Sequence, residues 1–338
     1  MFYKNIKAQI NSLTDYQKNY LIKQIQSFVT LNNEIANQRP CVCPTCGSSE
    51  ARFIKRGFAN GKQRYQCKEC GSRFVYDKKQ LTYWSHISTD QWITAIEDTL
   101  SFKSLEETRI KIGVSHPTMF NIRHKILHAI ETVMNSEGET DCNMLDGLIE
   151  ADETFVAESR KGRKVTDRKP RRHGEGATRR GLSAEQICCC FAVDHDNHIT
   201  CRSVNNAKPD SDDIVNALGS HITPESVFLC DGADSYNKLI SEKNCIKYEL
   251  KGHESYDKVH HLNTVNGLHS RFKDMYRSYR GIATRYINRY LSLFAFVNMM
   301  GTISCDELTS FFRKKTRGCF CYAKVGSLSG LDIFVYDH

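Results

Sequence analysis

The chain has 338 residues, with 47 Lys or Arg against 39 Asp or Glu and a formal net charge of +8. That length holds two or three domains, and 25% charged with 40% hydrophobic residues is the composition of a folded, water-facing chain. No run of about 18 apolar residues is present, and the first 30 residues lack the apolar segment of a secretory signal. No transmembrane helix is therefore expected, and a cytoplasmic location with reduced cysteines is expected.

Leu13, Tyr16, Leu21, Ile22, Ile25 and Phe28 recur at helical spacing and predict an amphipathic lead-in helix within residues 1–40. Cys43-Pro44-Thr45-Cys46 and Cys67-Lys68-Glu69-Cys70 follow, each trailed by glycine (Gly47, Gly71). Two residues between thiolates let a tight turn aim both sulfurs at one tetrahedral ion. Two such pairs at this separation predict one structural zinc per chain, held by Cys43, Cys46, Cys67 and Cys70 in a ribbon over residues 41–80. Ala51 to Ile54 and Arg64 to Gln66 read as its strands, with Asn60-Gly61 as the hairpin turn. Cys41 is a spare thiol. The ribbon is basic, as a nucleic-acid contact would be, although many ribbons bind protein instead.

Asp90 to Leu100 predicts a helix, and Ser104 with Glu107 a capping box opening a second. A turn at Gly113 and a cap at Ser115 lead into a third, running to about Ile130. This is the pattern of a helix-turn-helix over residues 85–135, although a plain three-helix bundle has the same pattern. The third helix is expected to expose His116, Thr118, Asn121, Arg123, His124 and Lys125 to DNA.

From Asp146 onward the texture changes to short β-branched runs. Strands are expected at Leu148 to Val156, Gln186 to Asp194, His198 to Val204, Ser226 to Cys230 and Ile246 to Leu250. Helices are expected at Asp210 to Leu218, Ala233 to Lys243, Asn263 to Tyr279 and Thr284 to Met300. Three consecutive strands followed by helix–strand alternation predict an α/β domain over residues 145–302: a mixed sheet flanked by helices, fitting an RNase H-like core among other α/β folds. Cys188, Cys189, Cys190, Cys230 and Cys245 read as small buried hydrophobes. Between Arg160 and Arg180 ten Lys or Arg stand against two acids, a block suited to phosphate contacts through Arg160, Lys161, Arg163, Lys164, Arg171 and Arg172. Residues 303–338 form a tail of packing or assembly character.

Asp152 lies within the first strand and Asp231 ends the fourth. With those strands adjacent, the carboxylates would lie side by side, as a pair binding two magnesium ions requires. Singly, an Asp before Gly is also an ordinary turn residue.

The segments Ile149-Glu150-Ala151-Asp152-Glu153-Thr154, Cys230 through Tyr236, His261 through Asn266 and Arg289 through Phe296 together resemble zinc-ribbon insertion-sequence transposases with a DDE/N catalytic domain, the bacterial family numbered fifteen ninety-five. The resemblance spans about residues 40–300. It implies an RNase H-like fold and strand cleavage and transfer at transposon ends with two magnesium ions, manganese being able to substitute. It further implies double-stranded terminal-repeat and target DNA as partners and a homo-oligomer on paired ends. By the same resemblance Asp152 and Asp231 are the first two catalytic acids, Asn266 the third metal ligand, and Lys273, two helical turns on, a DNA contact near the reacting phosphate. Asn266 supplies no negative charge, which leaves a catalytically inactive, transposase-derived DNA-binding protein as the alternative.

Overall fold

The computed structural model describes residues 40, 43, 45–46, 48, 52–59, 62–75, 86–135, 144–162, 185–250, 260–279 and 281–300. The expected lead-in helix, Cys41, Gly47, the Asn60-Gly61 turn, the basic residues Arg163, Lys164, Arg171 and Arg172, and the tail lie outside them. The chain divides into two units, residues 1–84 and 85–338.

The first unit is a three-stranded antiparallel sheet, β1 (Phe53–Ala59), β2 (Lys62–Cys67) and β3 (Arg73–Val75), in that spatial order. Its strands are longer than the sequence suggests. Ala59 pairs with Lys62 across the two-residue Asn60-Gly61 link, and a bulge between Lys55 and Phe58 accommodates Gly57 at φ +70°. Tyr65 and Phe74 are buried, and the ring of Phe53 meets Phe74 edge-on at 5.7 Å. Among the described residues, so few apolar side chains make a core that needs a further staple.

The second unit begins with α1 (Thr89–Leu100), α2 (Leu105–Ile112) and α3 (His116–Asn135). The capping box on α2 forms as expected: Glu107 N donates to Ser104 Oγ at 3.2 Å, and Ser104 N to Glu107 Oε2 at 2.9 Å. Gly113 closes α2 in the left-handed conformation, φ +72°, which a side chain would strain. Helix, turn and helix are all present. The third helix runs on to Asn135 because its apolar stripe, Ile122, Ile126, Leu127 and Ile130, packs onto the last helix of the unit.

The expected exposure of Arg123 and His124 is not observed. Arg123 is fully buried, donating to Lys103 O at 3.0 Å and Thr108 Oγ1 at 3.4 Å. His124 is 1% exposed, its ring 4.2 Å from that of Phe120 and 4.3 Å from that of Tyr286. Both lie on the inner face of α3, where helical periodicity places them beside Met119 and Ile126. They brace the helices and cannot reach a base. His116, Thr118 and Asn121 are exposed, and Lys125 is half-buried.

The sheet comprises β4 (Leu148–Ala157), β5 (Gln186–Asp194), β6 (Ile199–Asn206), β7 (Val227–Cys230) and β8 (Ile246–Glu249), in the order β6-β5-β4-β7-β8. β4, β5 and β6 are antiparallel, while β7 and β8 run parallel to β4. The first strand is thus central, with the second and third on one side and the fourth and fifth on the other, as in RNase H. One face packs on α4 (Ser211–Leu218) and α5 (Asn237–Glu242) through Ile149, Cys188, Cys190, Phe228 and Tyr236. The other lies under α6 (Asn263–Ser278) and α7 (Ile287–Met300), where Phe191, Phe272 and Phe294 cluster with ring separations of 5.3–6.0 Å. Cys188, Cys189, Cys190 and Cys230 are buried as expected, and the described cysteines form no disulfide. No helix among the described residues is long and apolar enough to cross a membrane.

Candidate metal centres and active site

In the ribbon, Cys43 Sγ lies 3.6 Å from Cys70 Sγ, and Cys46 Sγ 3.9 Å from Cys67 Sγ. All four sulfurs fall within 4.8 Å of one another. A tetrahedron with zinc–sulfur bonds of about 2.3 Å has edges of about 3.8 Å, so the four thiols fit zinc. The two knuckles repeat one backbone device: Cys43 N donates to Ser48 O and Cys67 N to Ser72 O, each at 2.9 Å. Gly71 follows the second pair at φ +69°. Burial raises the Cys43 thiol, but N–H groups of Cys46 and Thr45 aimed at its sulfur outweigh that and bring it to about 6. Cys46 is pushed up to about 12 and Cys70 is raised as well, so one thiolate is favoured without metal and a bound cation is what holds all four deprotonated.

The second centre forms where β7 ends. β4 and β7 pair in register as Ile149 with Phe228 and Glu150 with Leu229. Two positions further the same register sets Asp152 opposite Asp231, just past the last residue of β7. Each carboxylate is held by a backbone N–H, Glu153 N donating to Asp152 Oδ1 at 2.9 Å and Ala233 N to Asp231 Oδ1 at 3.0 Å. Gly232 takes φ +83°, and a Cβ there would meet Glu249 Cδ at 3.3 Å, so a side chain at this turn would be strained and glycine is favoured.

A third acid, Glu153, joins them. Single carboxylate oxygens of Asp152, Glu153 and Asp231 lie within 4.8 Å of one another. Burial, then the neighbouring acids, lift Glu153 to about 7, and burial with help from Asp231 lifts Asp152 to about 6. Glu153 Oε1 is buried without a hydrogen-bond partner. Mutually repelling carboxylates around an unsatisfied oxygen fit a hard divalent cation, which prefers oxygen ligands and removes the repulsion. Glu153 was not among the expected site residues. Strand alternation points it to the face opposite Asp152, and only the sheet edge lets the two approach.

Helix α6 presents Asn266, His269 and Lys273 at spacings of three and four, on one face. His269 is buried, with Nδ1 3.8 Å from Asp152 Oδ2 and its ring 5.0 Å from that of Phe191. Burial and then Lys273 lower His269 to about 4, so it is neutral near pH 7. Lys273 acts on Asp152 in the opposite sense to Asp231, favouring the charged carboxylate. Asn266 is exposed, one turn before His269. His269 too was missed, because a histidine among apolar helix positions gives no sequence signal of its own.

Glu150 fixes the start of α6. Its buried carboxylate accepts from Thr264 N at 2.9 Å, Val265 N at 3.0 Å and Thr264 Oγ1 at 2.6 Å, with His261 Nδ1 at 3.3 Å. A strand residue thereby satisfies the free N–H groups of a helix that lacks a side-chain cap of its own. Glu150→Ala leaves those donors unmatched and is expected to cost about 3 kcal/mol, measured as a lowered denaturation midpoint of the full chain. An unchanged midpoint would show that α6 is anchored elsewhere. Of the expected basic contacts, Arg160 pairs with Glu158 at 3.0 Å and Lys161 lines a cleft beside α3.

Residues 144–298 match the family profile described as the ISXO2-like transposase domain, and residues 30–73 that of the transposase zinc-ribbon domain. The chain belongs to this zinc-ribbon transposase family. No curated protein matches it. Among solved structures, the simian T-cell lymphotropic virus intasome in complex with PP2A regulatory subunit B56 gamma is 9% identical, over 62% of this chain and 70% of that one, with a TM-score of 0.29. The Mos1 transposase paired-end complex with left transposon end is 11% identical over 69% and 80%, TM-score 0.24. The Mos1 strand transfer complex is 14% identical over 69% and 79%, also at 0.24.

Proposed function

We propose that this transposase cleaves DNA strands at the ends of an insertion sequence and joins them to target DNA. Asp152, Asp231 and Asn266 would hold two magnesium ions, and Lys273 would contact DNA beside the reacting phosphate. The observation that supports this most is the convergence of Asp152 and Asp231, 79 positions apart in the chain, at one sheet edge with Glu153. Magnesium bound there supplies Lewis-acid polarisation of the phosphodiester and eases deprotonation of the attacking hydroxyl.

The chain's own groups have separable tasks. The N–H groups of Glu153 and Ala233 lock the two aspartates in their orientations. Asn266 offers a neutral oxygen, so the negative charge for binding cations rests on the aspartates, with Glu153 a nearby reserve. Lys273 partly offsets the rise that burial imposes on Asp152 and offers a cation to the incoming phosphate. Neutral His269, buried between Asp152 and the ring of Phe191, packs beside the carboxylate without adding charge.

The test is incubation of the protein with its own element ends and magnesium, resolving nicked, excised and joined products. Cleavage without joining, indifferent to terminal repeats, would replace this proposal with a structure-selective nuclease. The partners are double-stranded terminal repeats and target DNA, bound by a homo-oligomer on paired ends.

A pH dependence follows from the raised carboxyls. Asp152 at about 6 and Glu153 at about 7 lie above their unfolded values near 4. Between those limits the metal-free folded chain holds more protons than the unfolded one, so their effect on stability worsens as pH rises. Divalent ions relieve that penalty. The rise in Tm on adding manganese is therefore expected to grow from pH 5 to pH 7.5, and to vanish in Asp231→Asn. A rise independent of pH would argue against cation binding by these acids.

A further inference from the structure

A cleft runs between the helical segment and the α6–α7 connection. Its inner arm is a cavity of about 340 Å³, with Phe120, Lys161, Tyr279 and Arg285 among its walls. No carboxylate lines this arm among the described residues. An outer arm of about 870 Å³ shares Leu105, His116, Lys161 and Tyr279 with it and is also lined by the acids Glu106, Glu107 and Asp274, so the positive potential belongs to the inner arm.

Two features make the inner arm electropositive. Lys161 and Arg285 contribute full charges, and His116 brings to its wall the N-terminus of α3, whose first turn holds no acid. His124 in its wall is driven down to about 3, first by burial and then by Arg289, Arg123 and Arg285, so it adds no charge of its own. Arg285 Nε is buried without a hydrogen-bond partner, and its guanidinium carbon stands 4.8 Å from the centre of the Tyr286 ring. Gly162, at φ +77°, lets the segment after β4 approach: a Cβ there would meet Arg285 Nη2 at 3.1 Å.

Half-buried Phe120 and Tyr279 add aromatic surface beside these cations. Cations with aromatic faces suit single-stranded nucleic acid, the cations taking phosphate and the rings stacking on bases. The volume is that of a small-ligand site and too narrow for a duplex. Tyr279 directly follows α6, about 9 Å along the helix axis from Lys273, so one wall of the cavity stands at the C-terminal end of the helix that carries Asn266, His269 and Lys273.

We propose that this cavity receives one unpaired nucleotide of the DNA strand beside the reacting end, its phosphate on Lys161 and Arg285 and its base against Phe120 or Tyr279. This rests on the proposal above that the protein acts on DNA. The test compares binding of the full chain, by fluorescence anisotropy, to a blunt duplex and to the same duplex with a four-nucleotide single-stranded overhang. The parent is expected to prefer the overhang about tenfold. Arg285→Ala and Phe120→Leu should remove the preference and keep blunt-duplex affinity, and Arg285→Lys should retain part of it. Equal parental affinity for the two duplexes, or variants that keep the full preference, would overturn the cavity assignment while leaving the transposase proposal standing. No binding of either duplex would overturn both. Thymidine monophosphate should erase the preference at lower concentration than inorganic phosphate. Equal potency of the two would reduce the cavity to a phosphate site and overturn the nucleotide assignment.

Discussion

Alanine at Asp152 or Asp231 is expected to lower strand cleavage and joining by about a thousandfold or more, with DNA binding retained. The two carboxylates face each other across the end of a parallel strand pair, each oriented by a backbone N–H. With Asn266 neutral, losing either removes half of the aspartate charge available to divalent ions, and the polarising effect of those ions is a large part of such chemistry. Binding should persist because basic and helical surfaces lie apart from the carboxylates. Product analysis on end-bearing DNA, with anisotropy as the binding control, checks both halves. Two variants that cut as well as the parent would remove the catalytic assignment and leave a zinc-containing DNA reader. A loss of activity accompanied by loss of binding would point to misfolding, which a thermal melt of each variant detects. Because Asp231 is exposed and Asp152 only partly covered, neither substitution opens a large cavity, and both variants are expected to melt within a few degrees of the parent without metal.

Cys67→Ser, or chelation of the parent, is expected to unfold the first unit and spare the second. Zinc binding to four cysteines contributes on the order of 10 kcal/mol to folding. Among the described residues the apolar core of the ribbon is Tyr65, Phe74 and part of Phe53 around the buried sulfurs of Cys43 and Cys67, which cannot replace it. Metal analysis should find one zinc per parental chain and none in the variant. Limited proteolysis should then cut the ribbon rapidly while the sheet and its helices resist. A variant that keeps its zinc and its protease resistance would mean that Cys67 is dispensable.

Much of this was legible in the residue order. The Cys43-x-x-Cys46 and Cys67-x-x-Cys70 spacing is a local geometric constraint, so it could be read without a fold. The five strands of the main sheet were located within a few residues because their apolar runs are bounded by turn residues. Asp152 and Asp231 stood out by position, each at a strand where the resemblance places an acid. Less legible were features that depend on which face of an element is inward. Arg123 and His124 look like DNA contacts on a helix rich in polar residues. Their burial follows from α3 lying against α7, a contact between segments 165 residues apart at Arg289 and His124.

Glu150, Glu153 and His269 show the same division. Alternation along β4 sets Glu150 and Asp152 on one face, but no local pattern indicates that Glu150 meets the start of α6, 114 residues later. Glu153 belongs to the opposite face and enters the site only because β7 stops at Cys230 and leaves an open sheet edge. The sequence by itself determined the metal type of the ribbon, the order of the elements and two of the acids, since these depend on spacing and periodicity along a short stretch of chain. Only the tertiary structure decided which polar side chains are buried, which third carboxylate joins the pair and where a cleft opens, since these depend on distances between segments far apart in sequence.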